Sequence, residues 1–433
     1  MRVGFVNTSS NQNFKPFRID PLGSLYLLTI LEQKFGDQLE LSFTDVRGVR
    51  EDCIIYHIPE KDVYLHYATT PEISEIARIV SQIRQLYPRA LHLAGGPHTN
   101  IFPEQSLTIF DAICIGEGEE VIQQMIRDVL QGRLQKVYRE TGKIDLNAYP
   151  FPLRKYLPKA AIIDKGLLTR KYYDLVGTSV LFSRGCPFNC HFCSNQYKYA
   201  TRFRSPENMT AEIDYLKREY GVQALLLKDD QGIPVDQRIA KPALQALTRA
   251  EIKWRGQTRA NGIHPDLIKM AKESGCVEIA VAIESVSQRA LDIMNKKIDL
   301  AKAKEYLALV KQAGIETKLL LILGLPGEPR DIARQTIDFI REVQPSNVSL
   351  SILCPIPGSE IYNNPQKFGI KINPQVGFDK YLFAFGRFDG DEEAPHFFEY
   401  EKITPFGESL TMAEIHENHR QFQEFLRESG INF

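Results

Sequence analysis

The stretch TSVLFSRGCPFNCHFC, Thr178 to Cys193, runs from an apolar strand straight into three cysteines within eight residues. Cys186, Cys190 and Cys193 are three of seven cysteines in a chain of 433 residues. An odd number of cysteines scattered along so long a chain argues against a disulfide framework and for reduced thiols or a metal site. A structural zinc takes four ligands, commonly as two separated pairs, and no second pair follows. His191 could complete a three-cysteine, one-histidine set, but it lies between two of the thiols and is badly placed to turn inward with both. A [4Fe–4S] cluster on three thiolates leaves one iron open. That iron can be chelated by the amino and carboxylate groups of S-adenosylmethionine (SAM). The isolated Cys53, Cys114, Cys276 and Cys354 read as small buried hydrophobes. Of these, Cys354 ends a strand, where its thiol is a weak candidate for facing a substrate.

The strand before the cysteines opens a repeating series. TSVLFSRG, ALLLKDD, KWRGQTRA, VEIAVAIES, TKLLLILGLPG and NVSLSILCPIPG are strand-like runs, with helical stretches such as MTAEIDYLKREYG and RDIARQTIDFIREVQ between them. Six strand–helix units are two short of a closed eight-stranded barrel. The spacing predicts a partial (βα)6 barrel over residues 176–362, with active residues at the carboxyl ends of its strands.

Ahead of the barrel, RVGFVNT, LELSFTDV, VYLHYATT, ALHLAGG and DAICIGEG are five further strand-like runs. Ile73, Ile76, Val80, Ile83 and Tyr87 share one helical face, as do Ile122, Met125, Ile126 and Val129 before Gly132. This α/β alternation predicts a doubly wound, Rossmann-like parallel sheet over residues 1–135, with ligands at the carboxyl ends of its strands. No G-x-G-x-x-G follows the first strand, which removes the main case for a nicotinamide or flavin dinucleotide. Residues 136–175, with scattered Pro, Lys and Tyr, read as a linker. Residues 363–433 read as a small C-terminal cap, with Phe383, Phe385, Phe397 and Phe398 as core rather than pocket lining.

Lys plus Arg number 53 against 54 Asp plus Glu, with a pI near 6.8, so no basic surplus advertises a nucleic-acid surface. MRVGFVNTSS is too short and too weakly charged for a signal peptide, and no 18-residue apolar run occurs, so a cytoplasmic protein without a membrane partner is expected.

Taken in order, GGPH, DAICIGEGE, the three-cysteine motif, ES and GLPGE resemble the cobalamin-binding radical SAM family across roughly residues 1–360. The resemblance implies a [4Fe–4S] cluster on Cys186, Cys190 and Cys193, with Phe192 beside it. It implies SAM contacts from Asp229 and Asp230 (amino group), Glu284 and Ser285 (ribose), and Gly324 in LGLPGE (adenine). It further implies a cobalamin between the two domains. Its contacts would come from Ser9 and Ser10, Thr69 and Thr70, Gly95, Gly96, Pro97 and His98, and Gly116, Glu117 and Gly118.

The implied activity is C-methylation of an unactivated carbon in a small-molecule or peptide substrate, with an electron donor such as flavodoxin or ferredoxin. Cyclisation, rearrangement or oxidation without methyl transfer remains open, as does a non-catalytic corrinoid or cluster sensor. Methylthiotransferases need three further cluster cysteines in the first domain, where only Cys53 and Cys114 stand. Cobalamin proteins that place a His under the cobalt carry it in D-x-H-x-x-G. The loop NTSSNQNFKPFRIDPLG holds no His, so no axial histidine is expected.

Overall fold

The structure, a computed structural model, describes residues 1–8, 17, 20–140, 142–168, 172–195, 201–260, 264–377 and 396–431. Ser9, Ser10, Phe383 and Phe385 lie outside the described residues. The chain divides into two units, Met1–Asp164 and Lys165–Phe433.

The first unit is a six-stranded parallel sheet of β1 (Arg2–Asn7), β2 (Glu40–Asp45), β3 (Val63–Tyr67), β4 (Leu91–Gly95), β5 (Ala112–Ile115) and β6 (Val137–Arg139), ordered β2-β1-β3-β4-β5-β6. Strands covered by helices on both faces need apolar residues at successive positions, as Val3 to Val6 and Val63 to Leu65 supply. Helices α1 (Leu22–Phe35), α2 (Ile73–Leu86), α3 (Pro97–Ile101), α4 (Pro103–Ile109) and α5 (Gly118–Leu130) follow the strands. The stripe Ile73, Ile76, Ile79, Val80 and Ile83 is buried, as its period predicts.

Residues 136–164 are not a linker. β6 pairs with β5, the Leu153 amide donates to Thr29 Oγ1 at 3.0 Å, and the Tyr156 hydroxyl donates to Glu32 Oε2 at 2.8 Å. A three-residue strand is too short to display a period, which is why the pattern of apolar residues does not reveal it.

A histidine pair lies inside this sheet. His66 Nε2 and His92 Nδ1 are 3.1 Å apart, with the His92 ring stacked on Tyr64. Burial pushes His92 down to about 4 and His66 well below its ordinary value. An unfolded His takes up its proton near 6.5, before the folded one does, so stability is full above that pH and falls as the pH drops toward 4. For His92 alone the loss amounts to about 3 kcal/mol. Amide exchange in β3 and β4 is expected to accelerate between pH 6.5 and 5, after correction for intrinsic rates. An H66Q/H92Q variant should flatten that dependence; an equally steep acid limb in the variant would assign it elsewhere.

The second unit holds the six barrel strands: β7 (Gly177–Val180) and, after the short antiparallel pair β8 (Ser183–Arg184) and β9 (Arg202–Phe203), β10 (Ala224–Leu227), β11 (Lys253–Arg259), β12 (Cys276–Glu284), β13 (Glu316–Leu323) and β14 (Asn347–Ile352). They form one parallel sheet in chain order, β7-β10-β11-β12-β13-β14, the open partial barrel expected. Barrel interiors are usually filled by branched apolar side chains. Here a cavity of about 200 Å³ is bounded by Lys228, Arg255, Gln257, Glu278, Ala280 and Lys318. Glu278 accepts from Arg255 Nη1 at 3.1 Å and from Asn347 Nδ2 at 2.8 Å.

The C-terminal region does cap the rim. β15 (Ile370–Ile372) pairs with β16 (Phe398–Tyr400), Phe397 and Phe398 are buried as core, and the Tyr400 hydroxyl donates to the Gly324 carbonyl at 2.7 Å. A helix over Met412–Ser429 starts at a capping box between Thr411 and Glu414. No helix among the described residues is long and apolar enough to cross a membrane.

Candidate active site

The cysteine loop leaves β8 at the carboxyl end of the barrel. It is stitched to the helix Gln288–Ile293: the His191 amide donates to the Met294 carbonyl at 2.9 Å, and His191 Nδ1 lies 2.8 Å from the Ile293 carbonyl. Asn295 Nδ2 donates to the Asn189 carbonyl at 2.7 Å. His191 Nδ1 is thus taken by a backbone carbonyl, and its ring lies edge-on to Phe368, with 5.5 Å between ring centres.

Among the described residues, no group of three or more His, Cys, Asp and Glu side chains converges as a metal site. The three thiols still act on one another electrostatically. Burial chiefly raises the pKa of Cys186 and Cys193, and the charge of Cys190 raises both further. Two of the sulfurs face N–H donors: Gln231 Nε2 reaches Cys186 Sγ at 3.5 Å and Arg259 Nη1 reaches Cys190 Sγ at 3.2 Å. Sulfur ligands with amide and guanidinium donors directed at them suit a thiolate-held iron–sulfur cluster.

The carboxylates predicted on the rim divide by task. Asp229 is fully buried, and its Oδ1 accepts from the Phe182 amide at 2.9 Å, the Ser183 hydroxyl at 2.5 Å and the Ser183 amide. Burial pushes its pKa up to about 7 against those hydrogen bonds. Asp229 therefore ties the turn between β7 and β8 through Oδ1, while its buried Oδ2 has no partner among the described residues. Asp230 faces the loop: it is bonded to the Gly185 backbone and close enough for its charge to act on Cys186 and Cys193.

Glu284, at a register shift between β12 and β13, has φ +73°. A non-glycine residue in that region stores strain of about 1–3 kcal/mol and persists where its surroundings impose it. Its Oε1 accepts from Lys296 Nζ at 2.8 Å, and Lys296 also stands 5.6 Å from the Phe192 ring centre. Ser285 and Gly324, expected to touch SAM, are engaged by the rim itself. Ser285 Oγ donates to Glu328 Oε1 at 2.6 Å, and Glu328 Oε2 accepts from the Gly324 and Leu325 amides at 2.8 and 3.1 Å. Glu328 is buried and pushed up to about 7. Cys354 follows β14, partly buried, with desolvation pushing its thiol up to about 12.

In the first unit, the sheet order reverses at β1, which places the expected ligand crevice outside the carboxyl ends of β1 and β3. Thr8 and Thr69 hydroxyls there donate to opposite oxygens of Glu72, each at 2.5 Å. Gly96 has φ +115°, and a Cβ on it would meet the Ala68 carbonyl oxygen at 2.8 Å. The Gly116 amide donates to Asn100 Oδ1 at 2.9 Å, and the Glu117 amide donates to Glu140. Gly95, Pro97 and Gly118 are half-buried on the same rim, whereas Glu117 is buried. His98 is 1% exposed on α3, with Nδ1 3.2 Å from Thr70 Oγ1 and its ring against Phe102.

Pattern reading missed Arg259, Lys296 and Gln231, and gave Glu328 no role of its own beyond closing the GLPGE motif. An Arg as the last residue of β11, on the rim that carries the cysteines, was the available signal for the first of these.

Residues 180–340 match the model of the radical SAM superfamily. The barrel is a radical SAM domain. The chain is 27% identical across 368 residues to an uncharacterised methyltransferase of Pyrococcus horikoshii, covering 79% of this chain and 77% of that one. It is 27% identical across 324 residues to the anaerobic magnesium-protoporphyrin IX monomethyl ester cyclase of Cereibacter sphaeroides, covering 70% of this chain and 53% of that protein. Among solved structures, the radical SAM methyltransferase TsrM of Kitasatospora setae, with cobalamin and a [4Fe–4S] cluster bound, superposes with a TM-score of 0.66 at 16% identity. That match covers 87% of this chain and 81% of TsrM.

Proposed function

We propose that this radical SAM enzyme methylates an unactivated carbon of a small-molecule or peptide substrate. The observation that carries the reading is the loop of Cys186, Cys190 and Cys193 on a radical SAM barrel, with amide and guanidinium donors aimed at two of its sulfurs. Similarity to the Pyrococcus methyltransferase and to the fold of TsrM supports methyl transfer over the cyclisation named for the Cereibacter relative, of which this chain spans about half. When bound, the cluster and SAM supply a hydrogen-abstracting radical, and cobalamin supplies the methyl group.

The chain's own residues bind, orient and exclude water. Cys186, Cys190 and Cys193 hold the cluster; Asp230 receives the SAM amino group; Glu284, already fixed by Lys296, receives the ribose hydroxyls. The half-buried glycines of the first unit let backbone approach the corrinoid. A low-potential donor such as flavodoxin or ferredoxin supplies electrons.

Reduced, cluster-reconstituted protein incubated with SAM, cobalamin and cell extract is expected to release both 5'-deoxyadenosine, from hydrogen abstraction, and S-adenosylhomocysteine, from remethylation of the cobalamin by a second SAM, together with a product heavier by one methylene. A product altered without that mass gain would replace methylation by cyclisation or rearrangement. SAM left intact would turn the reading to a sensor.

A further inference from the structure

We propose that Arg259 is a positioning residue that sets the reduction potential of the cluster. This rests on reading Cys186, Cys190 and Cys193 as its ligands. Arg259 ends β11 and is 6% exposed. Its guanidinium is held by contacts that include the Phe188 ring 3.8 Å from Cζ, the Lys296 carbonyl at Nη2, and Cys190 Sγ 3.2 Å from Nη1. Phe188 lies within the cysteine loop, between the first and second thiols. The guanidinium is therefore clamped to that loop and aims one N–H at a ligand sulfur.

Of these three partners, the sulfur is the one that can carry negative charge. Reduction adds an electron to the cluster and its thiolates, so a fixed cation in contact stabilises the reduced state more than the oxidised one. Hydrogen bonds to cluster sulfurs and the local charge are among the main determinants of such potentials. Gln231 directs only a dipole at Cys186, from 3.5 Å, and its influence is smaller. Lysine cannot reproduce the arrangement, because a planar guanidinium lies on an aromatic face while donating from two separate nitrogens, and an ammonium does not.

The test compares full-length wild type, R259K and R259Q after iron–sulfur reconstitution. Each is titrated with dithionite without SAM, and the reduced cluster is followed by electron paramagnetic resonance. At a fixed potential, R259Q is expected to be reduced at least tenfold less completely than wild type, a midpoint about 59 mV more negative for one electron, with R259K between them. A wild-type midpoint in R259Q overturns the proposal. If only R259K retains its cluster, an unchanged midpoint in that variant overturns it and a lowered one supports it. Folded variants that both lack iron would give Arg259 a holding role alone and also overturn it. Wild type that binds no iron would refute the ligand assignment before Arg259 is at issue.

Discussion

Cys190→Ala protein is expected to fold and to bind no [4Fe–4S] cluster. Cys190 is the central thiol of the loop and, at 6% exposure, the most buried of the three. With one thiolate gone, two ligands remain and a second iron is left open, so the cluster no longer has the three-point attachment that fixes which iron faces SAM. His191 Nδ1 and its amide are bonded to the backbone at Ile293 and Met294, so a Cys190→Ala/His191→Ala double variant checks that the His191 ring does not stand in for the lost thiolate. The thermal transition should move little, since Cys→Ala at a small buried site removes only one sulfur's worth of contact. Iron content, the broad visible absorption and SAM cleavage should all fall to background. Cys114→Ala and Cys276→Ala are the controls: both thiols are buried and raised by desolvation, to about 12 for Cys114 and further for Cys276, and neither should change iron content. Full iron content in the Cys190 variant, or zinc in place of iron in wild type, would end the cluster assignment.

The fold was legible because its signals are local. All six barrel strands fall on the strand-like runs of the sequence, although β11 is largely polar, and their order in the sheet is their order in the chain. The cysteine spacing is likewise a local signal. Tasks decided by partners distant in sequence were not legible. Asp229 and Asp230 are adjacent and chemically identical, yet one is fully buried under the Phe182 and Ser183 amides and the other acts on the thiols. Ser285 was read as a ribose contact from the resemblance of the ES motif, and the bond of its hydroxyl to Glu328, 43 positions away, was not legible there. Arg259 became visible only when Cys190, 69 positions away, was brought to its guanidinium. β6 escaped notice for a different reason: three residues carry no measurable period.

The first unit is expected to bind cobalamin with no nitrogen ligand on the lower face of the cobalt. A lower axial histidine must present a ring nitrogen at the crevice outside the carboxyl ends of β1 and β3. None of the histidines described in this unit's sheet and in α3 does so. His66 and His92 face each other within the sheet at 3.1 Å, both fully enclosed. His98 lies nearest the rim, but it is 1% exposed, bonded to Thr70 through Nδ1 and covered by Phe102. Burial holds it down to about 4, so the ring is neutral at physiological pH, yet exposing it would mean unpacking α3. A strong nitrogen donor beneath cobalt would also hold the methyl group more firmly than transfer to a carbon radical favours, so its absence agrees with the proposed chemistry. The cobalt(II) form of the bound corrinoid should show electron paramagnetic resonance lines without nitrogen superhyperfine splitting. Its nucleotide tail should extend along the half-buried glycines Gly95, Gly96 and Gly116, with the base detached from cobalt. Splitting from an axial nitrogen would refute the prediction, and His98→Ala would then tell whether that nitrogen is histidine or the corrinoid's own base. Failure to bind any corrinoid would remove cobalamin from the proposed reaction and leave the barrel's radical SAM chemistry to be explained without it.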